Sequence, residues 1–339
     1  MKRKKIYLVA AIMCMAVIPG VTAYYLFAGI TEQKHTEYLY IDDDDNLDSV
    51  SMKLEPLVTE RGRTAIRTLA RHLGYADNVR SGRYALEPGV CAITLFRNLR
   101  NGHQEPVRLT IPCVRTTERL AEELGKKLMI TEDDIHLALQ DNEVCRKYSL
   151  DSTTIISMFI PNTYEVYWNI SIDKFLDKMK KESDKFWEGD RMEKAKNLGL
   201  SPLEVITLAS IVEEETANDG EKPMIAGMYY NRLQQGMPLQ ADPTVKFALQ
   251  DFGLRRIYRK QLSTDSPYNT YRNTGLPPGP IRIPSVVGID AVLNMAKHDY
   301  LYMCAKEDFS GTHNFARTYS EHLINAARYS KALDARGVK

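Results

Sequence analysis

The distribution of apolar and polar positions divides the chain before any composition is counted. Ile6 to Ile30 form one uncharged, largely apolar run, long enough at about 1.5 Å per helical residue to cross a hydrocarbon core of about 30 Å. After a polar stalk, Thr31 to Glu37, the pattern shortens. Tyr38 to Ile41 reads as a strand, followed by the acidic run Asp42 to Asp45 and a helix from Leu47. Thr64 to His72 reads as a helix, Gly82 to Leu86 as a strand entering the turn Glu87-Pro88-Gly89, and Cys91 to Arg100 as a helix stopped by Asn101-Gly102. Val107 to Ile111 alternates as a half-buried strand does, and Thr116 to Lys127 and Glu132 to Gln140 are amphipathic helices. These short elements predict a small α+β module over residues 31–150, without a catalytic pattern of its own and suited to binding or spacing.

Past residue 150 the pattern predicts one long charged helix, Ile172 to Leu198, closed by Gly199. Ser201-Pro202-Leu203-Glu204 then combines a capping Ser, a Pro at the first helical position and a Glu three residues after the Ser. In the helix that follows, to about Thr216, a step of 100° per residue spreads Ile206, Leu208, Ala209, Ile211 and Val212 round most of the circumference, which predicts burial. It ends in Glu213-Glu214-Glu215. Carboxylates there face the unfavourable end of the helix dipole and emerge from an apolar collar. Both effects favour the protonated form, as a general acid near neutral pH requires. A solvated helix end fits the same spacing, so the pattern nominates an acid without selecting it. The loops Gly236–Thr244, Ser266–Tyr271 and Gly275–Ile281 carry Tyr, Asn, Gln and Thr among Pro and Gly, which suits hydroxyl-rich ligands and is also ordinary turn chemistry.

Composition changes this picture in two places. The 45 Lys+Arg against 44 Asp+Glu leave a net charge of +1, so no globally basic surface is available for nucleic acid. Locally, Lys2, Arg3, Lys4 and Lys5 precede the apolar run and hold that end in the cytoplasm. This predicts a cytoplasmic tip over 1–5, a single membrane anchor over 6–30 and an exported body. Val21-Thr22-Ala23 would suit cleavage of a signal peptide, but the run continues to Ala28, with Tyr24 and Tyr25 placed for an outer interface. In an exported body Cys91, Cys113, Cys145 and Cys304 can pair in three ways or not at all. The chain has no C-x-x-C and no H-E-x-x-H, and four consecutive Asp lack the spacing of a calcium loop, so no metal site is expected.

Several segments together are more specific than any of them alone. Leu208-Ala209-Ser210-Ile211-Val212-Glu213-Glu214-Glu215-Thr216-Ala217, Asn231-Arg232-Leu233, Leu239-Gln240-Ala241-Asp242-Pro243-Thr244-Val245, Tyr268-Asn269-Thr270-Tyr271, Gly275 to Ile281 and Pro284 closely resemble, in order and spacing, the endolytic murein transglycosylases, the YceG-like family. The resemblance implies a LysM-like part at about 107–140 and a mixed α+β transglycosylase domain over 151–339. It implies cleavage of β-1,4 links between N-acetylmuramic acid and N-acetylglucosamine inside nascent peptidoglycan strands, leaving 1,6-anhydro ends and terminating glycan elongation. No cofactor is implied. Partners would be glycan strands, the inner membrane through one N-terminal helix and, by the same resemblance, peptidoglycan synthases, with the catalytic domain periplasmic. Glu215-Thr216 resembles the Glu-Ser pair of related domains, which makes Glu215 the acid/base and Glu213 its supporting carboxylate. Asn231, Gln240, Asp242, Tyr268, Asn269 and Tyr271 would line the cleft, with Thr270 nearby and His313 matching a His-x-Phe near the family's C-terminus. Glu214 stands where a Lys is common, and Ala241 where a Thr is. An inert glycan-binding scaffold and a water-using muramidase remain the alternatives.

Overall fold

The computed structural model describes residues 15, 17–254 and 256–336. The basic tip and much of the expected anchor therefore lie outside the described residues. Residues 17–27 are helical and expose Val17, Ile18, Val21, Tyr24 and Phe27. Among the described residues no helix is long and apolar enough to cross a membrane. The last two residues of the expected span fold elsewhere. Gly29 forms a β-bridge with Cys91, and Ile30 is fully buried, its backbone bonded to Val90 and Thr59. Hydropathy alone does not separate a core isoleucine from a lipid-facing one.

The chain forms two compact units. Of the described residues, the first comprises 15 and 17–109 with 127–130 and 165–171. Its strands Glu37–Ile41 and Gly82–Leu86 pair antiparallel with Leu39 opposite Tyr84, so that Leu39, Ile41, Tyr84 and Leu86 face one core. The helices Leu47–Leu54, Glu60–His72 and Ala92–Asn101 close it with Leu54, Ile66, Phe96 and Leu99. Within the acidic run, Asp42 and Asp45 share Lys53, a solvated turn fixed by an ion pair.

The second unit comprises residues 110–126, 131–164 and 172–336 of the described chain. The helices Thr117–Gly125 and Glu132–Gln140, expected in the N-terminal region, belong to it. The single helix expected over Ile172–Leu198 is two, Ile172–Phe186 and Asp190–Leu198, broken where Gly189 takes φ 68°, a left-handed conformation a side chain disfavours. At the centre lies Pro202–Glu215, with every residue from Val205 to Val212 buried. Lys222–Gln234 and Val286–Leu293 pack around it. A hairpin, Tyr302–Ala305 with His313–Ala316, pairs Ala305 opposite His313, and the helix Tyr319–Ala335 follows. Sequence patterning left this hairpin undrawn because all its strand residues but the buried Ala316 are half-buried, without a two-residue alternation to read.

Candidate active site

The buried helix is fixed at both ends before any chemistry is considered. Ser201 caps it, accepting the N–H of Glu204, while the Glu204 carboxylate takes the Ser201 N–H at 2.7 Å. In the buried middle Ser210 accepts the N–H of Ile281 at 3.0 Å, which pins the Pro/Gly-rich segment against the helix. At the far end three successive glutamates leave the axis 100° apart and meet three environments. Glu213 receives Lys222 Nζ and Ser285 Oγ, both at 2.9 Å, and the Lys222 side chain is only 4% exposed. Glu214 is gripped by Nε and Nη2 of Arg115 at 2.8 and 2.9 Å, a bidentate pair, and by Nη1 of Arg282 at 2.8 Å. Among the described residues, no cation is in hydrogen-bond contact with Glu215. The Tyr229 hydroxyl donates to its Oε1 at 2.6 Å.

Glu215 stands in a cavity of about 220 Å³ with Tyr229, Arg232, Gln240, Asp242, Tyr271 and His313, and the hairpin residues Met303 to Ala305 complete the wall. The carboxyl is crowded by protein yet still reached by solvent through the cavity. Burial is the main cause that pushes its pKa from 4.5 up to about 7; the Tyr229 hydrogen bond opposes the rise, the Asp242 charge adds to it, and His313 and Lys246 oppose it. Tyr229 itself is driven well above its ordinary value by burial and by the neighbouring carboxylate, so it remains a donor. Tyr271 is likewise raised by burial and by its bond to Asp242 Oδ1, 2.6 Å long.

Of the residues expected at the site, the cavity gathers Glu215, Gln240, Asp242, Tyr271 and His313. Glu213 lies outside it, because two helical steps turn it some 200° from Glu215. The acidic neighbour that raises the pKa of Glu215 is Asp242. Asn231 turns its amide to the carbonyls of His298 and Tyr300, at 2.7 and 3.1 Å. Asn269 ties its own loop through the carbonyls of Leu262 and Thr264. Thr270 is buried and holds the Gln240–Asp242 loop, accepting the N–H of Gln240 on its carbonyl and that of Ala241 on its hydroxyl. Tyr268 packs on Phe247 outside the cavity, ring centroids 4.7 Å apart.

Three contributors were not singled out from sequence. Tyr229 sits on the helix packed against the acid. Glu221, 8% exposed, holds His313 through its backbone N–H at 2.6 Å and its Nδ1 at 2.9 Å. Arg232 is buried and donates to the carbonyls of Leu301 and Leu239, at 2.6 and 2.7 Å, joining the hairpin to a loop in which Gln240 adopts φ 51°. The signal for Arg232 was present in Asn231-Arg232-Leu233: a cation beyond the apolar stretch Met224–Met228 of a buried helix needs buried acceptors. A larger cavity, about 800 Å³, opens at the other end of the buried helix against Trp187, Met192 and Leu203; its lining is largely apolar and includes none of the three glutamates.

Fold and site together define a largely helical domain, in which one carboxyl of raised pKa faces a polar cavity. The chain belongs to the YceG-like family, matching it over residues 39–328. It is 29% identical over 320 residues to an endolytic murein transglycosylase of Streptococcus pneumoniae serotype 2 (strain D39 / NCTC 7466), covering 85% of this chain and 57% of the relative. It is 40% identical over 159 residues to the endolytic murein transglycosylase of Bacillus subtilis (strain 168), covering 47% of this chain and 43% of that one. The chain thus spans about half the length of the curated relatives it matches. A crystal structure of a YceG-like protein from Listeria monocytogenes superposes with a TM-score of 0.56 at 26% identity, covering 86% of this chain and 99% of that one.

Proposed function

We propose that this protein is an endolytic lytic transglycosylase that cuts β-1,4 bonds between N-acetylmuramic acid and N-acetylglucosamine within peptidoglycan strands. The observation that carries the reading is Glu215, a carboxyl pushed to about pKa 7 at the wall of a polar cavity. At neutral pH a large fraction is protonated and able to give its proton to the leaving glycosidic oxygen. The resulting carboxylate then accepts the proton of the muramyl 6-hydroxyl as that oxygen closes on the anomeric carbon, and a 1,6-anhydro end forms. No water or second carboxylate is obliged to supply the nucleophile, and an intramolecular hydroxyl has the advantage of proximity.

The remaining groups have roles that follow from their placement. Tyr229 orients the carboxyl. Asp242, hydrogen-bonded by Tyr271, offers negative charge to the developing oxocarbenium ion. His313, steadied by Glu221, and Gln240 present polar atoms to sugar substituents. Arg232 fixes the loop and hairpin that carry them. Glu213 acts through the Lys222 ion pair, as a positioning group. The Val107–Gln140 region, a strand followed by two helices, is assigned as LysM-like and glycan-binding, with catalysis in residues 151–339. The apolar run up to Ala28 is assigned as a single anchor with a cytoplasmic N-terminus, which places the domain outside the inner membrane beside the peptidoglycan synthases whose strands it would terminate.

Asp242 favours one competing reading. A second carboxylate in the same cavity can activate water or attack the anomeric carbon, which would make the enzyme a muramidase. The termini decide between them. Mass spectrometry of digested strands should find 1,6-anhydro ends and no new reducing ends, and Glu215→Gln should lower their yield by at least about a hundredfold. Reducing ends, lost in Asp242→Asn, would establish the hydrolytic route, and binding without any new ends would leave a scaffold.

A further inference from the structure

A second cavity, about 290 Å³, lies outside the site described above. Phe247 and Tyr268 supply its aromatic surface, their rings 47° apart, and Thr153, Gln250 and Arg115 bring hydroxyl, amide and guanidinium groups to it. Its place is set by elements that also build the Glu215 cavity. The Asp242–Leu249 helix has Asp242 in one cavity, with Phe247 and the following Gln250 in the other. From Asp242 to Gln250 the helical rise is about 12 Å. The turn Tyr268–Tyr271 is divided the same way, with Tyr268 at the second cavity and Tyr271 at the first. Arg115 lines the second cavity while its guanidinium is held on Glu214, the residue before the acid.

We propose that this second cavity is a saccharide subsite that holds the same glycan strand about two sugars away from the bond presented to Glu215. The proposal rests on the glycan reading above and adds to it a place for the strand. Aromatic rings pack on the C–H face of a pyranose, while the hydroxyl and amide groups match sugar hydroxyls and N-acetyl groups. The guanidinium of Arg115 is already engaged by Glu214, and Glu118 also lines the space, so the cavity suits an uncharged N-acetylated sugar rather than a phosphate. The walls are joined to the catalytic cavity through one short helix and one turn, which keeps the two subsites at a fixed separation. A strand occupying both would be cut at an internal bond, so chain length becomes part of recognition.

The test is a binding series on the full chain carrying Glu215→Gln, which leaves the ligand uncut. Uncross-linked oligomers of alternating N-acetylmuramic acid and N-acetylglucosamine, two to eight sugars long, are titrated by calorimetry. Affinity should rise about tenfold at the length that first fills both cavities. That step should disappear in Gln250→Gly, which keeps the left-handed backbone at φ 53°, and in Tyr268→Ala, with affinity for the shortest oligomers unchanged. Should Tyr268→Ala fold poorly, Gln250→Gly alone decides. A smooth length profile, or a step that survives in a folded variant, overturns the subsite and leaves the catalytic reading intact. Failure to bind oligomers of every length overturns both.

Discussion

Three adjacent glutamates become three different groups through their neighbours. Glu213 is paired with Lys222 and Glu214 with Arg115 and Arg282, whereas Glu215 meets a tyrosine hydroxyl at the wall of a polar cavity. Sequence could show that carboxylates end a buried helix, but the assignment depends on partners 9 to 99 positions away. Three predictions belong to this residue. If Glu215 must be protonated to act, kcat/KM falls on the alkaline side with an apparent pKa near 7. Tyr229→Phe removes the hydrogen bond that opposes the raised pKa, so a pH–rate profile should show that limb displaced to higher pH. The same shift enters stability. The folded pKa is above the unfolded value, so this contribution is full below pH 4.5 and is lost as pH rises through 7. At pH 8 the ionised carboxyl costs the fold up to about 3 kcal/mol. Melting curves should therefore show Glu215→Gln more stable than the parent at pH 8, with the gap closing below pH 5.

Elements with a strong local signal were legible and those defined by partners were not. The capping box at Ser201 and the apolar circumference announced the central helix, and Pro202–Glu215 begins and ends within a residue of its expected bounds. The break at Gly189 was harder to read, because charged residues run on both sides and only the backbone angle distinguishes a pause from a helix. The Tyr302–Ala305 hairpin has no strand periodicity, and it owes its place to Arg232 and to the antiparallel bonds themselves. The packing of the Lys222–Gln234 helix depends on a close approach at Gly227, where an added Cβ would stand 2.4 Å from the carbonyl oxygen of Ala296. Backbone on the opposing side has little room to yield. Gly227→Ala should lower stability by about 1–3 kcal/mol in urea unfolding, despite the better helix propensity of alanine.

At the scale of the whole molecule, the α+β character and the buried helix that ends in three carboxylates were readable, while the division into units was not. Residues 127–130 and 165–171 join the first unit from within stretches otherwise belonging to the second, an interleaving that no linker composition marks. The junction below the expected anchor is similarly misplaced by hydropathy. Ile30 is buried against Gly62 and bonded to Thr59 and Val90, so the folded body begins before the polar stalk. A chain truncated to start at Thr31 should melt at a lower temperature than one starting at Ala28, with a loss of about 2 kcal/mol from the missing isoleucine. Equal melting temperatures would show that Ile30 contributes no stability.

The fan of carboxylates at the end of the central helix also constrains how this protein can change over evolutionary time. Each position along the helix is a turn of 100°, so inserting or deleting a single residue between Ser210 and Glu215 would rotate the acid out of its cavity and bring a neighbour into register. Substitutions can be absorbed there one at a time; length changes cannot. Descendants of this sequence should therefore vary in loop length around the site while the count of residues from the Ser210 anchor on Ile281 to the acid stays the same.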